Sequence, residues 1–553
     1  MIVRRSIFIC VVCCLLAGVG GADMSWVPEG WKIESPSGWD VPLPEQSLLA
    51  KDQKLVFNNG AEPETFDPHQ MTGVPEHTLA MAIYEGLTTP HPKTLEALPG
   101  MADAWAVSPD RLKYLFHIRK DARWSNGDPV VAQDFYRSWK RVLEPEFAAQ
   151  YAYQLYYIQG AEAFNRRTSK DFSTVGLRVL SPHLFEVTLR APTPFFLELT
   201  YFETLMPVHL DSIEKARKEG VAWTTPERLV CNGPFVLAEH LPRQHVTFKK
   251  NTRYWNAKRV FLEEIVALPI DDQNAAMNKY LNEELDWVRS VPAPRIEEAT
   301  DHPDYYVQTY LGTYYYSFNV TRKPFDDLRV RRAFSMAIDR SSVCRFLKGG
   351  QMPARGFVPP GIPVYSGYQG PAFDPGAARK LLAEAGFPGG EGFPEVELLY
   401  NTSESHKVVA EVIVDMWKKH LGVRVKMRNN EWKVYLKQVE GKDYQVARRG
   451  WIGDYADPNT FLDMWVSGGG NNNTNWASSA YDNLIRRAGM TGDPKVRMDL
   501  FLQAETLLVE SLPVVPIYHY VNQGFLSPLV GGWEENIRDL HPFQFLYMQI
   551  LDD

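Results

Sequence analysis

The sequence predicts an α/β protein with more than one domain, on three observations. The chain has 553 residues, a length that corresponds to roughly two to four domains. Apolar residues recur with the period of a strand in some segments and with the period of a helix in others. One segment in the second half has the pattern strand, helix, strand, which is typical of a parallel sheet because the crossover helix packs back onto it.

Several elements can be predicted in chain order. Two segments in the first half alternate as strands do, namely residues 114–119 (YLFHIR) and 184–189 (LFEVTL). A helix is predicted to begin after Asp374, an N-cap residue, because Pro375 suits the first turn. We expect this helix to run to Gly386, and the Pro- and Gly-rich segment 387–394 to form a surface connection.

The strand–helix–strand unit follows directly. Strand patterns at residues 396–400 (VELLY) and 423–427 (VRVKM) flank a helical segment. The apolar face of the helix recurs every four residues, at Val409, Ile413, Trp417 and Leu421. We expect the helix to stop at Gly422, because glycine readily takes the left-handed conformation that ends a helix.

Composition favours a folded protein without a nucleic-acid partner. Hydrophobic residues make up 45% and charged residues 23% of the chain, which is ordinary for globular proteins and argues against disorder. Aromatic residues reach 12%, so the protein needs thick cores or a surface on which something stacks. The formal net charge of −8 disfavours a dedicated nucleic-acid binder, since phosphates require a basic face.

Residues 1–22 have the pattern of a signal peptide. Arg4 and Arg5 precede an apolar run, and Gly20 and Ala22 have the spacing of a signal-peptidase site. The apolar run is too short to span a bilayer. We therefore expect export and cleavage near Ala22, and we find no second apolar stretch of membrane length.

The five cysteines are too few for a disulfide scaffold. Cys10, Cys13 and Cys14 lie within the signal sequence. Neither Cys10 nor Cys13 follows the small residue that a lipoprotein site requires, which disfavours lipid anchoring. Cys231 and Cys344 remain after cleavage, and the sequence leaves open whether they pair. Cleavage also removes two arginines, which takes the formal charge from −8 to about −10.

No motif predicts a catalytic site. The chain lacks the phosphate loop GxxxxGK[ST], the dinucleotide motif GxGxxG, the zinc motif HExxH and the nucleophile elbow GxSxG. His240 and His245 are five residues apart, where surface histidines are more common than metal ligands. We expect no enzyme activity, no cofactor and no metal site, although a carboxylate pair without a motif stays open.

Three blocks of sequence carry a family resemblance. The first is NNGAEPETFDPH at 58–69, followed by GVPE at 73–76 and YEGL at 84–87. The second is FHIRKDARWSNGDPV at 116–130 with QDF at 133–135, the third is RRGWIGDY at 448–455, and VPIYHYVN at 515–522 follows near the end. In this order they resemble the oligopeptide-binding proteins of ABC importers, a periplasmic solute-binding family that also includes dipeptide, murein-peptide and nickel binders.

The resemblance runs from about residue 53 to the C-terminus and implies an architecture. The fold would be a two-lobed periplasmic binding protein fold of type II, in the large three-domain variant, which closes by a hinge around its ligand. Domain I would be discontinuous (24–84, 211–311 and 522–553), with domain II at 85–210 and domain III at 312–521. The protein would be a periplasmic monomer that delivers short peptides to an inner-membrane ABC permease complex.

The resemblance implies that Asp454 binds the α-ammonium group of the peptide. Asp457 and Pro458 have the pattern of an N-cap and a first helical turn, so Asp457 already has a structural role. Asp454 has no such local role. A buried carboxylate that faces a ligand ammonium forms a charge-assisted pair.

Main-chain and side-chain contacts are implied in the same way. Gly450 and Ile452 would pair with the peptide as an added strand from one lobe, and Val74 would do so from the other. Ligand side chains would enter hydrated pockets. The matching aromatic residues are Trp432, Trp451 and Tyr151, and each is also compatible with ordinary core packing.

The cations matched to the peptide carboxylate are Arg448, His406 and Arg322. Arg322 replaces a lysine of the well-known members, which keeps the charge but not the geometry. Thr72 is neutral where those members carry an acidic residue near the ligand, which predicts a looser preference at the N-terminal end of the peptide. The cysteines of a disulfide in those members correspond to Gly312 and Ile452, so that bridge is absent here.

Two other functions stay open. The same fold also serves murein peptide, a nickel complex or another small solute, although Asp454 argues for a ligand with a free amine. An exported hydrolase would need a nucleophile or a carboxylate pair that the sequence does not reveal.

Overall fold

The computed structural model describes residues 25–551, apart from Ser37, Pro363 and Gly492. The predicted signal peptide, residues 1–22, lies outside the described residues. Within the described part, no helix combines the length and the apolar composition needed to cross a membrane.

Helices and strands are mixed along the described chain. The strands are β1 Lys32–Ile33, β2 Lys54–Asn58, β3 Thr88–Pro90, β4 Ala97–Pro99, β5 Ala102–Val107, β6 Lys113–Ile118, β7 Leu177–Ser181, β8 Leu184–Thr188, β9 Phe235–Leu241, β10 His245–Lys250, β11 Glu264–Leu268, β12 Trp287–Val288, β13 Tyr305–Phe318, β14 Met352–Pro353, β15 Val396–Asn401, β16 Val425–Asn430, β17 Val446–Ile452, β18 Val514–Leu526, β19 Val530–Gly531 and β20 Tyr547–Met548. The α-helices are α1 Val74–Ile83, α2 Ala132–Leu143, α3 Ala161–Asn165, α4 Phe196–Leu199, α5 Leu210–Glu219, α6 Gln273–Leu281, α7 Ile296–Thr300, α8 Leu328–Met336, α9 Arg340–Leu347, α10 Pro375–Glu384, α11 Glu404–Leu421, α12 Trp432–Glu440, α13 Asn459–Leu462, α14 Ser479–Ala488 and α15 Pro494–Ser511.

One large sheet extends through the whole molecule. Its strands follow the order β16-β15-β17-β13-β18-β12-β2-β11-β10-β9, with β14 paired to β18. A smaller antiparallel sheet has the order β1-β5-β6-β8-β7. Parallel pairs (β15 with β16, β2 with β11) occur beside antiparallel ones within the large sheet, so the predicted α/β class is confirmed.

The buried cores divide the molecule into two lobes. One core joins apolar residues between positions 55 and 287 to others at 530–548, and it also takes in Tyr455. A second core is confined to residues between 314 and 518. The first lobe is therefore discontinuous in sequence, and the second is built mainly from one stretch of chain.

Two long strands pass from one lobe to the other. The first half of β13 pairs with residues 521–525 of β18, and its second half pairs with residues 514–519. The pairing is interrupted between Thr309 and Thr313, which is where the chain leaves the first lobe. A break in a ladder lets a strand bend locally. The predicted boundary at 311/312 falls within this interruption and that at 521/522 falls just beyond it, and the domain layout itself stays a prediction.

The elements predicted from periodicity are confirmed. The strand patterns correspond to β6, β8, β15 and β16, and β15 pairs with β16 in parallel. Asp374 caps α10 by accepting a hydrogen bond from the backbone N–H of Ala377 at 2.9 Å. Helix α11 ends at Gly422, whose φ of 72° is left-handed. The connection at 387–394 contains a single turn of 3₁₀ helix, Pro388–Gly390.

The two cysteines that follow the predicted signal peptide do not pair with each other in the structure. Cys231 is buried, Cys344 is partly buried, and both thiols are free. Gly312 lies directly opposite Ile452 in the antiparallel pair of β13 and β17. The positions matched to the family disulfide are therefore neighbours across two strands, although neither carries a thiol.

We predict that the double variant Gly312→Cys/Ile452→Cys forms a disulfide on oxidation. A non-hydrogen-bonded antiparallel pair has Cα atoms about 4.5 Å apart, within the range a disulfide accepts. Closing so long a loop should raise the free energy of unfolding by about 2–4 kcal/mol. Thiol titration and thermal unfolding, with and without reductant, measure this. The two single variants are the controls, and thiols that stay titratable after oxidation would contradict it.

Candidate ligand-binding site

A cavity of about 450 Å³ lies between the two lobes. Both lobes contribute to its wall, and most of the candidate residues meet there. The candidates that line it are Thr72, Val74, Tyr151, His406, Trp432, Arg448, Gly450, Trp451, Ile452 and Asp454. Residues from distant parts of the sequence are thus brought to one enclosed space, and their roles toward a ligand stay predictions.

Strand β17 presents an open edge to this cavity. Hydrogen bonds from Gly453 N to Leu311 O (2.8 Å) and from Asn319 N to Gln445 O (3.0 Å) flank its pairing with β13. Because hydrogen-bonded and non-hydrogen-bonded pairs alternate in an antiparallel ladder, the N–H and C=O groups of residues 450 and 452 point away from β13. On that side β15 reaches only as far as residues 446 and 447.

The first turn of α1 faces this edge from the other lobe. Val74 is the first helical residue and is 40% exposed, and N–H groups in a first turn have no partner within the helix. The helix starts after Gly73, where a Cβ would lie 2.4 Å from Glu76 Oε2 and 2.8 Å from Trp432 Cζ2. Only glycine permits this approach of the two lobes.

Asp454 lies at one end of the cavity and is only 8% exposed. Its Oδ2 accepts a hydrogen bond from Gln154 Nε2 of the opposite lobe at 2.9 Å, and it forms no ion pair with any described residue. Burial raises the pKa of Asp454 well above its usual range, Glu203 and Asp463 raise it further, and Arg538 lowers it. The carboxylate is thus buried without a matching charge.

Asp457 has the structural role predicted for it. Its Oδ1 accepts a hydrogen bond from Asn459 N at 2.9 Å, at the start of α13. Its carboxylate also forms an ion pair with Arg497 at 2.5 Å. The two neighbouring aspartates therefore differ, since Asp457 is used within the fold and Asp454 faces the cavity.

Arg448 lies toward the other end of the cavity. Its guanidinium donates to Tyr520 Oη at 2.8 Å and to Asn401 Oδ1 at 3.2 Å, and it lies 4.7 Å from the centre of the Tyr314 ring. These partners are neutral, and its Nε has no hydrogen-bond partner among the described residues. An enclosed cation with neutral partners is suited to binding an anion.

His406 contributes a neutral ring at this end. Burial, reinforced by the Arg448 cation, lowers the pKa of His406 well below its usual range. Its Nδ1 has no hydrogen-bond partner within the described part of the chain. His406 is therefore suited to a hydrogen bond with a ligand rather than to an ion pair.

Aromatic rings form the walls between the two ends. Tyr151 of the first lobe stacks on Trp451 of the second, with ring centres 6.0 Å apart. Trp432 stacks on Tyr435 at 5.6 Å and donates from Nε1 to Glu76 Oε1 at 3.4 Å, across the gap between the lobes. Trp451 Nε1 is buried, and the described residues offer it no acceptor.

The structure does not bring Arg322 to the cavity wall, and its role toward a ligand stays a prediction. Arg322 is not among the described residues that line the cavity, and its side chain is 46% exposed and paired with Asp443 at 3.1 Å. A surface cation of this kind is satisfied by a nearby carboxylate and by water.

One residue that the sequence interpretation missed is Glu203. It lines the cavity near Asp454, from the other lobe, and its carboxylate contacts His77 Nδ1 at 2.5 Å. It begins a single turn of 3₁₀ helix, Glu203–Leu205. No motif marks this segment, so only the packing of the lobes reveals where its carboxylate lies.

The lobes touch at several further places around the cavity. Gln150 Nε2 donates to Glu440 Oε1 at 2.6 Å, and Ser405 Oγ donates to Gln273 Oε1 at 2.9 Å. The rings of Phe195 and Tyr455 stack with centres 4.0 Å apart. The two lobes are therefore closed on one another.

Two α/β lobes that enclose a cavity, with an open strand edge between opposite charges, define a solute-binding protein. Residues 96–473 match the family described as Bacterial extracellular solute-binding proteins, family 5 Middle. The chain belongs to this family, as the sequence blocks predicted, and members of the family are binding proteins rather than enzymes.

Three known proteins illustrate the similarity. Periplasmic oligopeptide-binding protein OppA of Escherichia coli (strain K12) is 35% identical over 508 residues, which cover 89% of this chain and 91% of the relative. Haemophilus influenzae OppA in complex with RPPGFSPFR has a TM-score of 0.86 at 33% identity, over 90% of this chain and 99% of that one. The Escherichia coli murein tripeptide binding protein MppA has a TM-score of 0.87 at 32% identity, over 91% and 100%. The predicted two-lobed fold is confirmed.

One comparison describes the state of the lobes. The unliganded open form of MppA has a TM-score of only 0.61, at 32% identity and with 92% of this chain covered. Identity and coverage match those of the other MppA structure, so the lower score reflects a different arrangement of the same parts. The arrangement in this protein is the closed one, in agreement with the contacts between its lobes.

We predict that Asp454→Asn shifts the ligand-free protein toward the closed form. Closure buries this carboxylate and raises its pKa, so the closed form binds the proton more tightly and is favoured at low pH. This preference for the closed form is lost as the pH rises through the raised pKa of Asp454. The open–closed equilibrium constant changes by about tenfold for each unit by which closure raises that pKa. Small-angle X-ray scattering should therefore give the variant a smaller radius of gyration than the parent at pH 8, and a smaller difference at pH 5.

The surface variant Asp443→Asn is the matched control and should scatter like the parent at both pH values. Equal radii for all three proteins at pH 8 would contradict the prediction. The protein must first be freed of co-purified ligand by unfolding and refolding.

Proposed function

We propose that this protein is the extracytoplasmic binding component of a peptide ABC importer. It would bind short peptides through their main chain and termini and deliver them to an inner-membrane permease complex. One observation carries the proposal: a free strand edge lies between a buried carboxylate and an enclosed guanidinium. A peptide offers the complement, an ammonium and a carboxylate joined by a hydrogen-bonding main chain.

The main chain would be bound by strand addition. Residues 450 and 452 offer outward N–H and C=O groups on β17, and Val74, the first residue of α1, offers its N–H from the other lobe. Hydrogen bonds to the main chain are common to all peptides, so they give affinity without a choice of sequence. The aromatic walls and the hydrated space around them would receive side chains of different sizes.

The charged termini of a bound peptide would explain why the two lobes need a ligand to close. In the closed form Asp454 and Arg448 are enclosed without an opposite charge, which raises the free energy of that form. A bound peptide brings an ammonium to Asp454 and a carboxylate toward Arg448 and His406. The ligand thereby shifts the population from open to closed, because it interacts far better with the closed form.

We also propose the predicted domain layout and hinge. Domains I and II would share the first lobe, domain III would form the second, and β13 and β18 would bend where their pairing is interrupted. The shared core of the first lobe supports this division. The permease would recognise the closed form, in which the outer surfaces of both lobes keep one relative orientation.

The cellular compartment of the protein is proposed from the names of its relatives. The Escherichia coli and Haemophilus influenzae relatives are named periplasmic, and we propose that this chain is exported to the same compartment and acts as a monomer. Murein tripeptide is a second candidate ligand, since the similarity to MppA favours it. The free amine of that ligand would use Asp454 in the same way.

We predict that Asp454→Ala loses most of its affinity for trialanine. The variant leaves the ligand ammonium without its partner, at a cost of about 3–5 kcal/mol. N-acetyl-trialanine should bind the parent protein weakly for the same reason, and calorimetry measures both. Asp443→Ala should bind like the parent. Affinity that is unchanged for the variant or for the acetylated peptide would remove the proposed ammonium contact.

We predict that Arg448→Gln removes the discrimination between trialanine and trialanine amide. The parent should bind the free carboxylate roughly tenfold or more tightly than the amide, because a charge-assisted hydrogen bond replaces a neutral one. The variant should bind trialanine and trialanine amide alike. The losses of affinity caused by the substitution of Arg448 and by amidation of the peptide are therefore not additive. Arg322→Gln is the matched control and should keep the discrimination. Discrimination that survives in Arg448→Gln and disappears in Arg322→Gln would reverse the assignment.

A further inference from the structure

Glu203 is a second carboxylate at the Asp454 end of the cavity. It is 2% exposed and lines the cavity from the first lobe. Its Oε2 contacts His77 Nδ1 at 2.5 Å, and within the described part of the chain no hydrogen bond is found at its Oε1. One oxygen of this buried carboxylate is therefore left for a ligand.

Glu203 and Asp454 approach the same space from opposite lobes. The Tyr151 ring is close to both segments, 5.4 Å from the ring of Phe202, which precedes Glu203, and 6.0 Å from the ring of Trp451, three residues before Asp454. Glu203 is close enough to Asp454 to raise the pKa of that carboxyl. The two carboxylates thus face one end of the cavity together.

Two basic groups lie near these carboxylates, and in the described part of the chain neither contacts Glu203 Oε1. Arg538 donates to Gly453 O at 3.1 Å and to Tyr201 Oη at 3.2 Å, and its charge lowers the pKa of Asp454 without an ion pair between them. His77 contacts the other oxygen of Glu203. A peptide ammonium would take Asp454, which leaves Glu203 Oε1 open to a further cationic group of the ligand.

We propose that this protein prefers peptides whose first residue has a cationic side chain, and that Glu203 binds that cation. The proposal rests on the proposed function. The first side chain and the α-ammonium share one carbon atom, so a ligand ammonium at Asp454 holds the side chain near the second carboxylate. Lysine has a flexible four-carbon stem that ends in three donors, which suits a partly occupied carboxylate.

Calorimetry with three tripeptides tests this proposal, and two of them are isomers that differ only in the position of lysine. The parent should bind Lys-Ala-Ala at least tenfold more tightly than Ala-Ala-Ala, and Ala-Lys-Ala about as tightly as Ala-Ala-Ala. In Glu203→Gln the ratio between Lys-Ala-Ala and Ala-Ala-Ala should fall to about one. Asp271→Asn removes a different carboxylate from the cavity wall and should keep the ratio of the parent.

Three results would overturn the proposal. They are equal affinities of the parent for Lys-Ala-Ala and Ala-Lys-Ala, a ratio that survives in Glu203→Gln, and a ratio that Asp271→Asn abolishes equally. The comparison of the two lysine isomers uses the parent alone, so it decides the matter even where Glu203→Gln does not fold. If the parent binds none of the three peptides, the proposed function fails. If it binds all three alike, only the preference for a first-residue cation fails.

Discussion

The burial of charges that the protein itself does not pair is the constraint on which the rest of the structure depends. When the lobes meet, Asp454 and Arg448 lose water at two ends of one cavity, and each keeps only neutral hydrogen-bond partners. Such groups raise the free energy of the closed form. In the function that we propose, a ligand with opposite charges at a matching separation stabilises the closed form. The termini of a peptide would meet this condition whatever its sequence.

The scaffold links this constraint to the proposed hinge through two strands. β13 and β18 pass between the lobes, and their pairing is interrupted between Thr309 and Thr313. β13 also pairs with β17 and fixes which residues of β17 turn their main chain outward. Bending at the interruption would therefore move the open edge and the charges beside it as one unit. The cavity is completed only when α1 of the other lobe reaches Trp432.

Sequence patterns predict the local elements well, because a strand or helix period depends only on near neighbours. The block at 448–455 also predicts much of the cavity wall, since one strand and the turn after it hold five of the candidates in a fixed order. Arg322 lies apart from the cavity wall, because a surface cation takes whichever carboxylate is near, here Asp443. Glu203 escaped notice because its closeness to Asp454 arises from the packing of two lobes, which no local pattern encodes.

The two carboxylates at one end of the cavity differ in what they demand of a ligand. Asp454 forms no ion pair within the described part of the chain, so a ligand without an ammonium would leave this buried carboxylate without a contacting cation. Glu203 already has His77, so a ligand with a neutral first side chain would leave that contact intact. On the two proposals, the first carboxylate sets a requirement and the second adds a preference. A main-chain edge that accepts any sequence and a side-chain contact that favours some sequences are compatible, because they act on different atoms of the ligand.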